Sequence, residues 1–357
     1  MEAYVLKQAL GIDVAKDSLS LCLGTLKPDL EKEFIVSKDV ANNATGFQKI
    51  TDWLGKLNIQ KEKLVVVMEA TGVYHEALAM YLHQQGYTIS VMQSGRVKRY
   101  AQSLDQRSKT DALDSRMLAM LGCERKLTSW SAPDKTLRQL KALSRERSCL
   151  LKEKNVEKNR LHAVETAAYS NKKEVKRYAK RLKLLEDQLA EIEQEMKELV
   201  AGDVTLAQKM EYLESIPGVS FLSAATVVGE TYGFNEITSA KQLTSYAGYD
   251  VVLKESGNFR GSTKISKKGN KHIRSMLHMP SMTAVRVNLT LKQFYQRLKP
   301  NKAKPIVALV AVQRKLVLLM YSLYKNNKYY DAEFEQKSSK SKALAAQDST
   351  NCLLNAS

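Results

Sequence analysis

The sequence predicts an α/β N-terminal domain, a long helical coiled-coil segment and a mainly α C-terminal domain. Three observations support this. Short apolar runs alternate with helical spacings over 9–125, the charged stretch 135–201 contains no Pro or Gly, and a Gly-rich basic region follows. A chain of 357 residues is longer than one typical domain. We therefore predict domains at 1–130, 131–202 and 203–332, and a disordered tail at 333–357.

The N-terminal elements are predicted in a defined order. Strands are expected at 9–15, 18–26 and 33–37, then a helix at 46–57, a strand at 63–71, a helix at about 74–85, a strand at 87–92 and a helix from Thr110. Short connections favour an antiparallel meander for the first three strands. The continuous apolar run in the fourth is typical of a strand buried on both faces. This is the order of the ribonuclease-H-like fold, in which the first and fourth strands are neighbours and the last helix packs across their ends.

Four acidic residues occupy positions that this fold would bring together: Asp13, Glu69, Asp111 and Asp114. Clustered carboxylates raise one another's pKa, so such a group predicts bound cations. Mg²⁺ prefers oxygen ligands, and two such ions can stabilise both the attacking and the leaving oxygen of a phosphodiester cleavage. Each acid alone has a structural alternative. Asp111 would cap a helix, and a strand aspartate such as Asp13, or the nearby Asp17, would form a turn.

The stretch 135–201 predicts two long helices joined by a turn at 169–173. Its second half carries apolar residues at alternating spacings of three and four, which indicates a heptad seam: Val175, Tyr178, Leu182, Leu185, Leu189, Ile192, Met196 and Leu199. In the first half, Arg147, Lys154 and Glu157 fall on the seam and weaken it. We interpret the segment as a helical hairpin that spaces domains and joins subunits. An ordinary helical subdomain remains the alternative.

Composition indicates a polyanionic partner. The chain has 56 Lys and Arg against 38 Asp and Glu, a net charge of +18, which favours nucleic acid over a mere solubility role. The four cysteines are widely spaced, so we expect reduced thiols in a cytoplasm. No signal peptide is predicted, and Gln313, Arg314 and Lys315 interrupt the apolar run 305–324. We therefore expect a buried helix there and no membrane partner.

Two segments of the C-terminal region suggest phosphate contacts. The first, 213–230, is similar to a helix-hairpin-helix module, although Ser220 replaces the usual second glycine, and a plain helix connection is the alternative. The second, 254–274, holds seven Lys and Arg against one acid, Glu255, with interleaved Gly and Ser. It predicts a nucleic-acid-binding loop that leads into a helix near Asn270. A serine there could attack phosphorus, although most serines in basic loops only bind phosphate.

The segments that carry a family resemblance are "GIDVAK", "MEATGVY", "KTDALDSRMLA", "SIPGV", "SYAGY" and "SGNFRGSTKISKKGNKHIRSML". Over residues 9–290 they resemble, in order, the DEDD insertion-sequence transposases of the IS-one-ten family, also called bridge-RNA-guided recombinases. The resemblance implies a RuvC-like domain whose DEDD site is Asp13, Glu69, Asp111 and Asp114, with Mg²⁺ as cofactor. It also implies a C-terminal transposase domain with a serine nucleophile, which we place at Ser256, with Ser262 and Ser266 as alternatives.

The resemblance further implies RNA-guided strand cleavage and exchange through a covalent phosphoserine–DNA intermediate. The partners would be donor and target DNA, a noncoding bridge RNA, and further copies in a homodimer or homotetramer whose subunits share composite active sites. The expected location is the cytoplasm of a bacterium or archaeon, at the nucleoid. Candidate nucleic-acid-binding residues are Lys109, Arg116, Arg260, Lys264, Lys267, Lys268, Lys271 and Arg274.

Departures and competing hypotheses accompany this interpretation. Gln93 and Ser94 stand where relatives often carry Asn-Pro, and the loop before Ser256 lacks a proline that many relatives have. A metal-only RuvC-like nuclease or junction resolvase would cleave with water and form no covalent adduct. A non-catalytic nucleic-acid-binding relative is a third hypothesis. "GIDVAKDSLSLCLG" also resembles the phosphate hairpin of sugar kinases and actin-like ATPases, but no second glycine-rich phosphate loop follows.

Overall fold

The structure is a computed structural model. It describes residues 5–37, 39–57, 59–70, 72–104, 110–169, 171–252, 255–257, 259–260, 264–301 and 304–333. The chain forms two compact units, 1–132 and 133–357, and each unit is described by itself. The helical hairpin belongs to the second unit.

The first unit alternates strands and helices in the predicted order. Its elements are β1 (Lys7–Val14), β2 (Ser18–Leu26), β3 (Lys32–Val36), β4 (Val40–Ala41), α1 (Ala44–Lys56), β5 (Leu64–Glu69), α2 (Glu76–Gln84), β6 (Thr88–Met92), α3 (Ser94–Ser103) and α4 (Asp111–Glu124). The short β4 and the helix α3 were not predicted. Helix α3 begins at Ser94, directly after its N-cap residue Gln93.

The sheet of the first unit has the order β3-β2-β1-β5-β6, with β4 paired to the start of β2. Strand β1 pairs antiparallel with β2, and β2 pairs antiparallel with β3. Strand β5 lies parallel between β1 and β6. The prediction that the first and fourth predicted strands are neighbours is therefore confirmed.

Helices cover both faces of this sheet. Alternate residues of a strand point to opposite sides, so each strand contributes apolar side chains to a core on either face. Leu10, Ile12 and Val14 of β1 pack with α1 and α2 in one core. On the other face, Val67 of β5 packs with residues of α3 and α4, among them Leu118. The result is a three-layer α/β/α unit in which the last helix crosses the central strands, as the ribonuclease-H-like order requires.

The second unit is mainly helical. Its elements are α5 (Lys135–Thr166), α6 (Lys172–Ala201), α7 (Val204–Glu214), α8 (Phe221–Glu230), α9 (Ala240–Ala247), β7 (Val251–Val252), β8 (Glu255–Ser256), β9 (Phe259–Arg260), β10 (Lys264–Ile265), α10 (Lys271–Met276), α11 (His278–Val287), α12 (Leu289–Leu298) and α13 (Pro305–Asn326). The predicted tail 333–357 lies outside the described residues except for Glu333.

Helices α5 and α6 form the predicted hairpin, and their side-chain contacts show that they run antiparallel. The polar residues on the predicted seam are paired across it: Arg147 with Glu193 at 2.6 Å, Lys154 with Glu186 at 2.9 Å and Arg181 with Glu157 at 2.8 Å. These ion pairs explain how the seam tolerates charge in its weaker half. Near the base of the hairpin, Leu140 and Met196 enter the hydrophobic core of the unit.

Helix α13 is the apolar segment 305–324 of the sequence. Its length of 22 residues and mean hydropathy of 1.8 are sufficient to cross a membrane by length and composition alone. Its residues Val312, Leu316 and Met320 nevertheless belong to the core of the second unit. The buried Gln313 accepts a hydrogen bond from the Tyr249 hydroxyl at 3.1 Å, as a polar side chain in a protein core requires. The expectation of a buried helix is therefore confirmed for one face of α13, since 39% of its apolar window is buried.

Candidate functional site

Two of the four predicted carboxylates lie at the carboxyl ends of adjacent strands. Asp13 is on β1 and Glu69 is the last residue of β5, and the parallel register pairs Ile12 with Met68 directly before them. Since side chains alternate along a strand, Asp13 points to the same face as Gly11, and Glu69 to the same face as Val67. That is the face covered by α4, where the other two carboxylates begin.

Helix α4 approaches β1 very closely at Gly11. A Cβ atom at this position would lie 2.0 Å from the carbonyl oxygen of Ser115 and 2.3 Å from the backbone nitrogen of Ala119. Ser115 directly follows Asp114, and Gly11 is two residues before Asp13. The absence of a side chain at Gly11 therefore lets α4 pack against β1 directly after its first turn, close to the strand end that carries Asp13.

The paired aspartates of α4 occupy its first turn, where a helix tolerates negative charge best. Thr110 caps the helix, because its hydroxyl oxygen accepts a hydrogen bond from the Leu113 backbone N–H at 3.2 Å. The alternative of Asp111 as the cap is therefore wrong. The positive end of the helix dipole partly offsets the repulsion between Asp111 and Asp114.

The electrostatics of Asp13 indicates that the other three carboxylates lie near it. Burial raises the pKa of Asp13 to about 6, and the charges of Asp114, Asp111 and Glu69, in that order, add to the increase. The backbone N–H of Val14 acts in the opposite direction. An acid held in this way is a poor solitary anion and a good ligand for a cation.

The donor chemistry suits a hard divalent cation, because carboxylate oxygens are the ligands that Mg²⁺ prefers. The side chains are not closed around one ion: within the described ranges, no three His, Cys, Asp or Glu side chains are grouped tightly enough to hold a metal. Residues 105–109, which directly precede α4, lie outside those ranges. The set thus fits the cation in chemistry and in charge.

Two predicted nucleic-acid-binding residues, Lys109 and Arg116, are close in sequence to the two aspartates of α4, and the structure describes Arg116. Arg116 is exposed, and its guanidinium carbon lies 4.7 Å from the centre of the Phe34 ring. This cation–π contact orients Arg116 toward β3. Lys109 lies outside the described residues.

The predicted nucleophile Ser256 lies in a small hairpin of the second unit. Strands β8 and β9 pair antiparallel, with Ser256 opposite Phe259. Gly257 follows in the left-handed conformation, with φ +54°, which favours glycine. Ser256 is exposed. Of the alternatives, Ser262 lies outside the described residues, and the half-buried Ser266 accepts a hydrogen bond from the Lys268 backbone N–H at 3.3 Å.

The basic loop is anchored to the end of α9 by backbone hydrogen bonds. The N–H groups of Ser266 and Asn270 donate to the carbonyl oxygens of Asp250 and Tyr246, each at 2.7 Å. The predicted phosphate-binding lysines on this loop and the helix after it are exposed: Lys264, Lys267, Lys268 and Lys271. They remain available for a phosphate backbone.

The two predicted arginines of this segment differ from those lysines. Arg274 is half-buried and donates hydrogen bonds to the carbonyl oxygens of Ala247 at 2.8 Å and Asn270 at 3.3 Å. This geometry gives Arg274 a structural task at the end of α9. The side chain of Arg260 lies outside the described atoms.

A buried polar cluster that the sequence analysis missed lies beside the basic loop. Glu230 is fully buried and accepts hydrogen bonds from Arg145 at 2.7 and 3.0 Å and from Asn270 at 2.6 Å. Burial alone would raise the pKa of Glu230, but the hydrogen bonds from Arg145 and Asn270 outweigh it and hold this pKa below its ordinary value. The Tyr246 hydroxyl donates to the Glu230 carbonyl oxygen at 2.6 Å. The sequence signal that could have revealed this cluster is Glu230 itself, a single acid at the end of the apolar run of α8.

The Pro-Gly turn at 217–218 has the predicted geometry of a tight connection. Gly218 adopts φ +101°, and a Cβ there would lie 2.7 Å from the Ala284 backbone nitrogen, so this position requires glycine. Ser220 has φ −101°, which any residue adopts, and it forms the N-cap of α8. The departure from a second glycine is therefore tolerated. A cavity of 630 Å³ lies beside this turn, between α5, α8, α10 and α11.

Family models match most of both units. Residues 10–169 match the DEDD transposase domain model of the IS110 (IS-one-ten) family, described as "Transposase". Residues 210–296 match the model described as "Transposase IS116/IS110/IS902 family".

Curated relatives and solved structures add to this. The chain is 26% identical over 339 residues to the "Pilin gene-inverting protein" of Moraxella lacunata, covering 92% of this chain and 99% of the relative. It is 25% identical over 336 residues to the protein of that name from Moraxella bovis, with the same coverage. Among solved structures, it is similar to Thermus thermophilus RuvC in complex with Holliday junction substrate, with 10% identity, a TM-score of 0.25, and coverage of 32% of this chain and 90% of that chain.

The sheet order, the carboxylates around Asp13 and the matched domains define the class: the protein is an enzyme that acts on DNA, a transposase or recombinase. More particularly, residues 10–169 and 210–296 are similar to the two transposase domains of the IS110 family.

Proposed function

We propose that this protein is an RNA-guided DNA recombinase that cleaves and exchanges strands with a Mg²⁺-binding carboxylate site and a serine nucleophile. The observation that carries the proposal is geometric: Asp13 and Glu69 lie at the ends of adjacent parallel strands, and α4, which carries Asp111 and Asp114, packs against β1 at Gly11. The pKa of Asp13 agrees, because Asp114, Asp111 and Glu69 all raise it from one strand and one helix. Carboxylates that raise one another's pKa favour a cationic partner, and phosphodiester chemistry uses one.

Asp13, Glu69, Asp111 and Asp114 would hold the metal. When bound, the divalent cation would polarise a phosphoryl oxygen and offset the charge that develops at phosphorus. The protein's own contribution is to present the carboxylates at one sheet edge. The strand register and the approach of α4 to Gly11 fix their directions before substrate arrives.

Ser256 would attack the DNA backbone. Its Oγ forms a bond to phosphorus, the bond from phosphorus to one nucleoside oxygen breaks, and that oxygen leaves with a proton as a free hydroxyl. The serine proton passes to a nearby base. Exposure of Ser256, the tight turn at Gly257 and the exposed lysines after it support this role, since a nucleophile must reach a polyanion.

The proposal extends to partners through the family resemblance. A noncoding bridge RNA would pair with donor and target DNA and set their sequences, and copies of the chain would assemble as dimers and tetramers with composite active sites. The enzyme would act in the cytoplasm, at the nucleoid. A structured RNA encoded beside the gene, with loops matching both insertion junctions, would support the guided reaction.

The test is a recombination assay with the cognate RNA and DNA, run with Asp13→Asn and Ser256→Ala. We expect each variant to lose about a thousandfold in rate, the loss typical of a removed charge-stabilising group. Asp17→Asn is the matched control for the first variant, because Asp17 is an exposed acid of the neighbouring turn. Ser266→Ala tests the alternative nucleophile, and Ser245→Ala, at an exposed serine of α9, is the control for the second variant.

A denaturing gel separates the serine mechanism from a metal-only nuclease. Wild-type protein should remain covalently attached to DNA on this gel, and Ser256→Ala should not. Full recombination by Ser256→Ala would refute the nucleophile and leave the carboxylate site standing. Mg²⁺-dependent cleavage without any adduct in the wild type would instead establish a metal-only, RuvC-like nuclease.

A further inference from the structure

Charge is segregated along α6 in a way that the helix itself disfavours. Residues 172–183 contain seven Lys and Arg and one acid, whereas 184–201 contain one Lys and six acids. The dipole of a helix favours acids at its N-terminus and bases at its C-terminus, which is the reverse of this arrangement. Like charges four residues apart, such as Lys176 and Lys180, add a further cost.

The acidic end of α6 has a structural explanation. Glu193 pairs with Arg147, Glu186 pairs with Lys154, and Glu195 accepts a hydrogen bond from Gln139 at 3.3 Å, all from α5. These contacts hold the base of the hairpin together. Glu186 and Glu193 therefore compensate cations on the facing helix.

The basic end has no such compensation. Arg181 pairs with Glu157 across the seam. In the part of the chain that the structure describes, no ion pair or side-chain hydrogen bond is recorded for the other six cations, and all six are exposed: Lys172, Lys173, Lys176, Arg177, Lys180 and Lys183. Intramolecular pairing does not account for them.

Four of these lysines form a single stripe. At 100° per residue, Lys172, Lys176, Lys180 and Lys183 fall within about 80° of one another around the helix and span about 16 Å along it. The half-buried seam residues Val175 and Leu182 lie about 100–120° around the helix from the centre of this stripe. Farther along α6, the same solvent-facing side carries Asp187 and Glu191. Solvation alone would not require this change of sign.

An exposed aromatic residue lies at the same end of the hairpin. Tyr169, in the turn between α5 and α6, is 97% exposed. A large aromatic side chain with no packing partner gains nothing for the fold, but its hydroxyl can donate to phosphate and its ring can pack against a sugar. Aromatic and basic groups together are the composition of a nucleic-acid contact.

We propose that the tip of the α5–α6 hairpin, formed by Tyr169 and the six exposed cations, is a DNA-binding surface that grips the phosphate backbone of a duplex. DNA is the substrate of this enzyme. A DNA duplex carries one phosphate charge per about 1.7 Å of its axis, so several phosphates lie within the roughly 16 Å length of the lysine stripe. The surface shares no residue with the carboxylate and serine sites. It rests on DNA as substrate and not on the proposed mechanism.

The experiment measures binding of the full-length protein to a labelled random-sequence DNA duplex over a range of salt concentrations. The test variant is Lys176→Gln, Lys180→Gln and Lys183→Gln together. We expect about tenfold weaker binding at moderate salt, and a slope of log K against log salt that is smaller by about two to three, because each lost phosphate contact removes about 0.9. Glutamine keeps the helix propensity, and a thermal melt checks folding.

The matched control removes the same charge elsewhere. Lys49, Lys56 and Lys63 are exposed and belong to α1 or the turn before β5. Their change to Gln together should leave affinity within about twofold and the slope nearly unchanged. An equal loss in both triple variants, or no loss in the test variant, would overturn the proposal.

Two further arms sharpen the result. Tyr169→Ala should weaken binding and leave the salt slope unchanged, because a tyrosine releases no counterion. A duplex RNA of the same sequence replaces the DNA in a parallel titration. If the lysine variant lost affinity only for RNA, the commitment to DNA would be refuted. Because DNA cleavage is not measured, failure here and failure of the proposed mechanism are distinguishable.

Discussion

The two candidate catalytic regions are built by different means. The carboxylates stand on strands of eight and six residues and on a helix that touches the sheet at Gly11. The serine stands on a ladder of two paired residues, Glu255 and Ser256, beside a second ladder of the same length. A long register fixes side-chain direction over many hydrogen bonds, whereas a two-residue ladder fixes it over few.

The difference shows which contacts hold each region in place. The carboxylate site depends on the backbone packing of the first unit, because a cation cage requires fixed ligands. The serine region depends on a buried polar anchor, in which Glu230 holds Arg145 and Asn270 beside the basic loop. Substitutions that disturb one kind of support should leave the other region intact.

The largest effect on stability is expected at Gly11. The change Gly11→Ala places a Cβ atom 2.0 Å from a backbone oxygen that no rotamer change can move. We expect a loss of about 3 kcal/mol or more in the free energy of unfolding, because overpacking against backbone forces elements apart. Chemical denaturation measures it, and strand cleavage should fall with it.

Gly55→Ala is the matched control for this prediction. Gly55 lies within α1, and an added Cβ meets nothing within 4 Å. The alanine should be neutral or stabilise the protein by up to about 1 kcal/mol, because Ala is the better helix former. Equal destabilisation by both changes would contradict the role of the α4–β1 contact.

The second effect concerns the anchor of the serine region. We expect Glu230→Gln to cost about 2 kcal/mol, because charged hydrogen bonds from Arg145 and Asn270 are weakened. The pKa of Glu230 lies below its ordinary value of 4.5, so its contribution is complete above that value and is lost as pH falls through the lowered pKa. Urea unfolding at several pH values should show the difference between wild type and variant shrinking below pH 4.5.

Glu236→Gln provides the comparison for this measurement. Glu236 is an exposed acid only six residues away. Its change should alter stability by less than about 0.5 kcal/mol, as is usual at exposed positions. If Glu230→Gln behaved in the same way, the buried cluster would not organise the region.

The sequence predicted the fold of the first unit well, because hydrophobic patterns specify strands, and the strand order then specifies which ends are adjacent. Asp13 and Glu69 could be placed from this alone. The contact at Gly11 could not, because a glycine in a strand does not indicate what approaches it. Glu230 and its partners were missed because they are far apart in sequence and meet only after α5, α8 and α10 have packed together.

The third effect tests the carboxylate set as a ligand group. At about ten times its dissociation constant, Mg²⁺ should stabilise the wild type by about 1.4 kcal/mol, seen as a rise in Tm. Asp13→Asn should lose this increment. In EDTA the same variant should be more stable than the wild type, because it removes a half-buried charge that Asp114, Asp111 and Glu69 repel. Asp17→Asn should retain the full increment, and an increment retained in Asp13→Asn would remove Asp13 from the ligand set.

The smallest effect concerns the polar residues on the seam of the hairpin. A double-mutant cycle of Arg147→Met and Glu193→Gln should give a coupling of about 1 kcal/mol, because both side chains are largely shielded, at 14% and 32% exposure. The cycle of Lys154→Met and Glu186→Gln should give less than about 0.5 kcal/mol, since that pair is 32% and 55% exposed. Unfolding at low and high salt measures both, and salt should weaken the exposed pair more. Equal couplings would mean that cross-seam pairing does not explain why charge is tolerated on the seam, and the hairpin would then depend on its apolar base alone.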